Sequence, residues 1–530
     1  MISRCLSLTL GLLSLALRIY SQTAAASQAA AKPDYSQQAY VIEEMSTNIT
    51  FDNEGNRTRE QITRVRVQTD AGVQEWGLLS LPYQSAAETV EVNYVRVRKS
   101  DNTTVTTPSD NIQDLDAEIT RAAPFYSDLR EKHVAVKGLG KGDVLEYQAH
   151  WRPTKPLIPG QFWLEYSFHH DGIVLNERLE VRVPASRAVK YKGPQATQVV
   201  NTQGDSRVYA WTYTNLEGKP EVESEKQKRD AALGRLPAPD VQLSSFQSWD
   251  EVGSWYWNLQ KDRIEPSPAI RAKAGELTKG TTDDAAKLQA LYSFVSTQYR
   301  YIGIAFGIGR YQPHAADDVL SNNYGDCKDK HTLLASLLQA SGLTIYPALI
   351  SATHALDPDV PSPGQFDHVI GYLPQGKTAL WLDTTPEVSP PGFLMLPLRD
   401  KPALVMAGEK SFTLTTTPAD PPFPSAQTFK IEGKLNDDAT FQAHIEDTSR
   451  GDAEIVLRSA FRRVPQPQWK DLVQQISYGL GFAGLVNEVS ASSPEAVTEP
   501  FHFSYSYTRK DYPDWSNRQF TVPGLPFYMP

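Results

Sequence analysis

Cysteine is nearly absent: Cys5 and Cys327 are the only two in 530 residues. That scarcity excludes a disulfide framework and a zinc module built on paired Cys-x-x-Cys spacing. Basic residues are not in excess either. The 52 Lys and Arg are outnumbered by 62 Asp and Glu, for a net charge of −10 spread along the chain, and no basic patch invites nucleic acid as a partner. Long apolar runs are missing: the longest, Leu6 to Leu17, is about half of the ~20 residues a membrane-spanning helix needs. No internal repeat or low-complexity tract occurs. What remains is ordinary globular material, 40% hydrophobic and 22% charged, with length for about three domains.

Arg4, the apolar run Leu6–Leu17 and the small-residue segment Ala24-Ala25-Ala26 follow one another in the order of a secretory signal peptide. The expectation is cleavage of residues 1–26, export to the periplasm or medium, and a mature chain without a transmembrane segment. An uncleaved N-terminal anchor is the competing reading. Cys5 precedes the apolar run, which is not the place of a lipid-attachment cysteine. Its removal would leave Cys327 alone, with no intramolecular disulfide open to it. An unpaired thiol in an oxidising compartment asks for a reason. The bland alternative is a small buried hydrophobe that happens to contain sulfur.

From about residue 40 to residue 216, short alternating runs such as Arg64-Val65-Arg66-Val67 and Val95-Arg96-Val97-Arg98, broken by turns such as Ser100-Asp101-Asn102, predict a large β-sandwich-like domain. Residues 217–240, rich in Lys, Glu, Pro and Ala, lack apolar periodicity and read as a linker. Beyond them the period becomes helical. Trp249, Val252, Tyr256 and Leu259 share one face, and Thr282-Asp283-Asp284 caps a helix carrying Leu288, Leu291 and Val295. An α+β core is expected over residues 241–405. Residues 424–530 then return mostly to strands, as in Phe501, Phe503, Tyr505 and Tyr507, with a helix around Trp469, Leu472, Val473 and Ile476. Pro530 follows strand-like sequence closely, so this domain is expected to be incomplete. The whole is an α+β multidomain chain.

The chemistry gathers around Cys327. Asn322-Asn323-Tyr324-Gly325-Asp326 reads as a turn, and Leu333, Leu334, Leu337 and Leu338 as the apolar stripe of a helix that Gly342 stops. Asp326 is the natural N-cap, so Cys327 falls in the first helical turn, where backbone N–H groups point outward. A helix terminus stabilises a thiolate by about 0.3 to 2 kcal/mol, at most roughly one and a half pKa units. A cationic histidine is needed as well. His368 opens the apolar run Val369–Leu373, Asp383 closes Ala379–Leu382, and Pro374-Gln375-Gly376-Lys377 lies between, which predicts a hairpin. Strands apolar on both faces should be central in a sheet, and a charge at each far end is anomalous without a task. The bland readings are a strand-end histidine satisfied by backbone and a turn-forming aspartate. Together with the cysteine, His368 and Asp383 supply nucleophile, base and orienting carboxylate. With Gln375-Gly376 as a two-residue loop, Pro374 pairs with Lys377 and, further down the ladder, His368 with Asp383. Asp367, adjacent in sequence, would face the other way.

Three segments resemble the transglutaminase-like superfamily: Tyr324-Gly325-Asp326-Cys327-Lys328-Asp329-Lys330, Phe366-Asp367-His368-Val369-Ile370 and Trp381-Leu382-Asp383-Thr384-Thr385. The separations suit that family, with 41 residues from Cys327 to His368 and 15 from His368 to Asp383. Upstream, Val95-Arg96-Val97, Phe125-Tyr126-Ser127-Asp128 and Gly142-Asp143-Val144-Leu145-Glu146-Tyr147 look like the domain of unknown function 3857 that precedes such cores in exported bacterial proteins. The resemblance implies a β-rich domain, a papain-like thiol core with Cys on a helix and His and Asp on neighbouring strands, and a β-rich tail. It leaves activity open, since the superfamily has transamidating, proteolytic and inactive members. His331, on the same helix face as Cys327, stands where the family would have a small residue, and could line the edge of the core or compete with His368 for the thiol.

Two functions follow as expectations. One is acyl transfer on amide or peptide bonds of a protein or peptide substrate, with water or an amine as acceptor and no cofactor. The oxyanion donors would be the Cys327 N–H and Gln298, Tyr301 or Asn322. The other is a non-catalytic envelope binding module that keeps the fold. A weaker third reading, a metal held by Cys327, His331, His368 and Asp383, lacks the usual paired spacing.

Overall fold

The computed structural model describes residues 34–117, 129–156, 158–217, 221–302, 311–514 and 516–519. The segment expected to direct export, with Cys5, and the Phe125–Asp128 motif lie outside these residues.

The alternation of valine with arginine builds the first domain. Along Arg57–Val67 the buried positions are Gln61, Thr63, Val65 and Val67, the charged Glu60, Arg64 and Arg66 alternate onto the other face, and the strand joins an eight-stranded sheet. Thr47 lies opposite both Gln61 and Leu179, and Gln61 opposite Ala149, so all four share one face. Two three-stranded sheets cover that face side by side. Leu79, Leu81 and Val134 of one pack on Val97, Leu145 and Ala149. Leu164, Val241 and Leu243 of the other pack on Ile49, Leu179 and Trp211. This is a sandwich whose second layer is split. Where Thr47, Gln61 and Thr63 are buried on it, Gln61 Nε2 donates to Tyr147 Oη at 3.0 Å.

Part of the segment that reads as a linker, Glu221–Ala232, is a helix. Its weak apolar periodicity hid it. The next strand, Val241–Ser244, pairs with Trp163–Tyr166 and Lys190–Lys192, and so belongs to the first domain's smaller sheet.

The core begins at helix Trp249–Gln260, capped by Ser248, and Asp283 caps Asp284–Gln298 through a bond from the Ala286 N–H at 2.9 Å. Its antiparallel sheet runs in the order Thr378–Leu382, His368–Gln375, Tyr346–Ile350, Pro402–Met406, Phe412–Thr416. The hairpin is therefore not wholly central: Thr378–Leu382 is an edge strand. It is apolar because both its faces are covered, Leu382 by the helices and Trp381 by Leu394 and Leu398.

In the last domain, Phe501, Phe503, Tyr505 and Tyr507 line the inner face of a four-stranded sheet, packed against Phe461 and Val473. Two helices lie here, Asp452–Arg463 and Trp469–Gly479, where the sequence pattern predicts only the second. A buried Arg458 interrupts the apolar stripe of the first. The signal that marks it is electrostatic: Asp452 and Glu454 in the first turn, Arg462 and Arg463 in the last.

Candidate active site

Asp326 is extended, at φ −87° and ψ −170°, and its carboxylate accepts the Asp329 N–H at 3.1 Å, which starts the helix Cys327–Ala340 at the cysteine. The following Lys328, Asp329 and Lys330 are all buried, each with its own polar anchor. Lys328 pairs with Asp326. Asp329 accepts the His314 N–H at 2.8 Å. Lys330 donates to the carbonyls of Tyr299 and Ser296 at 2.6 and 3.2 Å, and burial pushes its ammonium down to about 7. These bonds fix the first turn of the helix against the end of the helix Asp284–Gln298 and the segment at His314. The Cys327 side chain itself is only partly covered.

His368 opens its strand and is almost fully buried. Its Nε2 lies 3.2 Å from Asp383 Oδ2, while Asp383 Oδ1 accepts the Thr385 N–H and hydroxyl at 2.9 and 2.8 Å. The Tyr292 hydroxyl donates to the Asp383 carbonyl at 2.5 Å. Burial disfavours a charged imidazole, but Asp383, by charge and hydrogen bond, and then the Cys327 sulfur outweigh it and raise His368 well above the ordinary histidine range. Burial likewise opposes the Asp383 carboxylate; His368 and the Thr385 donors outweigh it, and the carboxyl titrates lower than usual. The structure thus brings Cys327, His368 and Asp383 together.

The register that joins His368 to Asp383 differs from the expected one. Gln375 pairs with Thr378 and Pro374 with Ala379, so the loop is Gly376-Lys377, not Gln375-Gly376. Gly376 has φ +62°, which glycine adopts without strain at the first central position of a tight hairpin turn. On this ladder Asp383 is displaced by two residues from direct opposition to His368. A shift of two keeps both on one face, where diagonal neighbours reach each other through their side chains. Asp367 does face elsewhere: its Oδ1 accepts the Ala352 N–H at 2.6 Å, and its Oδ2 the Thr353 hydroxyl.

His331 packs against the strand at Gly371, where an added Cβ would stand 3.5 Å from Nδ1, in ordinary contact with the ring. Burial pushes it down to about 3, so it is neutral and Nε2 has no hydrogen-bond partner among the described residues. A neutral His331 offers the thiolate no cation and does not compete with His368. Because its folded pKa is depressed, the stability it holds is complete above about pH 6.5 and is lost as pH falls toward 3. At 1.36 kcal/mol per pH unit the loss reaches about 2 kcal/mol by pH 5. Denaturant midpoints measured from pH 7 to 5 should fall less steeply in His331→Gln; parallel curves would show that His331 does not titrate this way.

Of the three side chains considered as oxyanion donors, two are turned to local partners. Gln298 Nε2 donates to Thr297 Oγ1 at 3.1 Å and Asn322 Nδ2 to the Asp318 carbonyl at 2.6 Å, both exposed. Tyr301 lines a cleft of about 880 Å³ onto which His368 and Asp383 also open. Although 37% of the residue is accessible, its hydroxyl is sheltered, and burial followed by the nearby Cys327, Asp326 and Asp383 raises its pKa. Sequence reasoning gave no role to Tyr292 or Lys330, which hold Asp383 and the start of the cysteine helix. It also missed the far wall of the cleft, formed by the helix Asp452–Arg463 of the last domain. Among the described residues no group of three His, Cys, Asp or Glu side chains is arranged to hold a metal ion, and no helix is long and apolar enough to cross a membrane.

A β-rich domain, then a helix-borne thiol set against a histidine and an aspartate at the end of a small sheet, defines a papain-like thiol architecture. Residues 53–219 match a domain of unknown function with solved structures, DUF3857, and residues 271–348 match the transglutaminase-like superfamily. The chain thus carries a DUF3857 segment followed by a transglutaminase-like segment. The second match includes Cys327 and ends before His368 and Asp383. Among solved structures, a "putative protease" from Parabacteroides distasonis is similar at a TM-score of 0.60 and 12% identity, over 89% of this chain and 93% of that one. It shares the α+β arrangement. An M1 zinc metallopeptidase from Deinococcus radiodurans aligns over 39% of this chain and 42% of its own, at 10% identity and a TM-score of 0.21. No curated protein matches.

Proposed function

We propose that this protein is an exported thiol acyl-transfer enzyme acting on amide or peptide bonds through Cys327, His368 and Asp383. The observation that carries the reading is the buried His368–Asp383 hydrogen bond beside the sulfur, which holds an imidazolium next to a cysteine at a helix start. The signal-like N-terminus supports export, and the family supports acyl-transfer chemistry. In the first half-reaction the Cys327 sulfur attacks the carbonyl carbon. Negative charge gathers on the carbonyl oxygen, stabilised by the Cys327 N–H, which lies in the first helical turn outside the helix ladder, and by the Tyr301 hydroxyl. His368 gives its proton to the leaving nitrogen, the C–N bond breaks and a thioester remains. Water or an amine then attacks the thioester, His368 takes the proton from it, the C–S bond breaks and Cys327 leaves as the thiolate.

The test is alkylation by iodoacetamide at pH 6. Cys327 is expected to react about tenfold faster than a free thiol, since the thiolate is the reacting form, and the advantage should disappear in His368→Ala. Equal rates in both would remove His368 from the mechanism. A thiol that reacts only after unfolding would make the chain a binding module that keeps the fold.

A further inference from the structure

The cleft that His368 and Asp383 open onto has one wall from the core and one from the last domain, and the second wall is built to stay in place. Arg399 grips Asp452 through two bonds of 2.9 and 3.0 Å at one end of the helix Asp452–Arg463. At the other end Arg462 reaches Glu387 and the Thr297 carbonyl. Between them Ile455 packs with Val388 and Phe393 of the core. A helix fixed at both ends still turns Val456, 52% exposed, toward the cleft beside Ser459 and Ala460. An exposed aliphatic beside two small residues is a shelf for an apolar side chain.

The basic end is equally marked. Arg300, Arg462 and Arg463 all line the cleft, in a chain whose net charge is −10. Glu387 and Glu495 neutralise Arg462, whereas Arg463 is exposed and has no carboxylate or hydrogen-bond partner among the described residues. Val456 and Arg463 are two turns apart on one helix face, about 10 Å, which an extended peptide spans in about three residues.

We propose that this helix is the specificity wall of the active site and takes an extended peptide, an aliphatic side chain lying against Val456 and Ala460 and a carboxylate about three residues away meeting Arg463. The proposal rests on the acyl-transfer reading for its reaction, but the recognition stands on geometry alone. The carboxylate is that of an acidic side chain or of a chain terminus.

Binding separates recognition from chemistry. The probes are fluorescein-labelled amidated peptides carrying one leucine and, about three residues to either side, Glu, Gln or Lys, with a further peptide that ends at Gln in a free carboxylate. Anisotropy with the full Cys327→Ala chain should show the Glu peptide bound about fivefold more tightly than the Gln peptide. Arg463→Glu should reverse the order in favour of Lys, and Val456→Asp should weaken all of them. Both positions are exposed, so neither change threatens the fold. The free-carboxylate peptide matching Glu would assign the site to a chain terminus, and its falling to the Gln level would assign it to an acidic side chain. Equal binding of Glu, Gln and Lys peptides, or an order unchanged by Arg463→Glu, overturns the proposal. Iodoacetamide reactivity of the wild-type thiol is read in parallel: its failure sinks the nucleophile and leaves the binding result standing.

Discussion

Asp383→Asn is expected to slow turnover of a peptide amide by about 10³- to 10⁴-fold without unfolding the protein. The Thr385 N–H and hydroxyl both donate to Asp383 Oδ1, and an asparagine oxygen there can keep both bonds. The amide NH₂ would then face His368 Nε2 in place of Oδ2. A donor at that position forces the neutral imidazole to carry its proton on the other nitrogen, the one left for the thiol, and removes the carboxylate that raises the ring's pKa. Geometry survives while the base is lost. Asp367→Asn, one residue before His368, is the matched control. Its carboxylate is exposed and engaged with Ala352 and Thr353, so it should change turnover little. A large effect of Asp367→Asn with a small one of Asp383→Asn would reverse the assignment.

Arg458→Met should destabilise the last domain by about 3 to 5 kcal/mol. The guanidinium is fully buried, bonded to Glu454 at 2.9 Å and to the carbonyls of Ser493, Pro494 and Ala496 at 2.9, 3.1 and 3.0 Å. Methionine fills much of the volume but leaves Glu454 to Arg450 and the Gly451 N–H alone, and strands a set of inward-pointing carbonyls. Amide hydrogen exchange should quicken across the Asp452–Arg463 helix and the strand Phe501–Arg509, while the helix Cys327–Ala340 keeps its protection. Unchanged exchange in the last domain would show that Arg458 is dispensable. Loss of protection at the cysteine helix as well would mean that the two domains unfold as one unit.

Legibility in the sequence followed the range of the interactions. Asp326 could be read as a cap because the group it satisfies, the Asp329 N–H, is three residues away. The hairpin could be read because its apolar runs and its glycine are contiguous. Its register could not, since that depended on which central position the glycine takes, and a difference of one residue in the turn moves every pair by two. His331 looked like a rival for the thiol on helical spacing alone. Only the strand packed across the helix at Gly371 shows it buried and neutral.

The sequence by itself determined the residue types, the sandwich alternation, the capped cysteine helix and the hairpin that carries His368 and Asp383, all set by groups a few residues apart. The tertiary structure alone decided the register by which Asp383 reaches the histidine, which of three donors opens on the cleft, and that a helix of the last domain forms its far wall. That wall is held by Arg399 with Asp452, 53 residues apart, and by Arg462 with Thr297, 165 apart. Contacts at such separation leave no periodic trace in the chain, because each side supplies an ordinary charge or carbonyl that acquires its partner only when the domains pack.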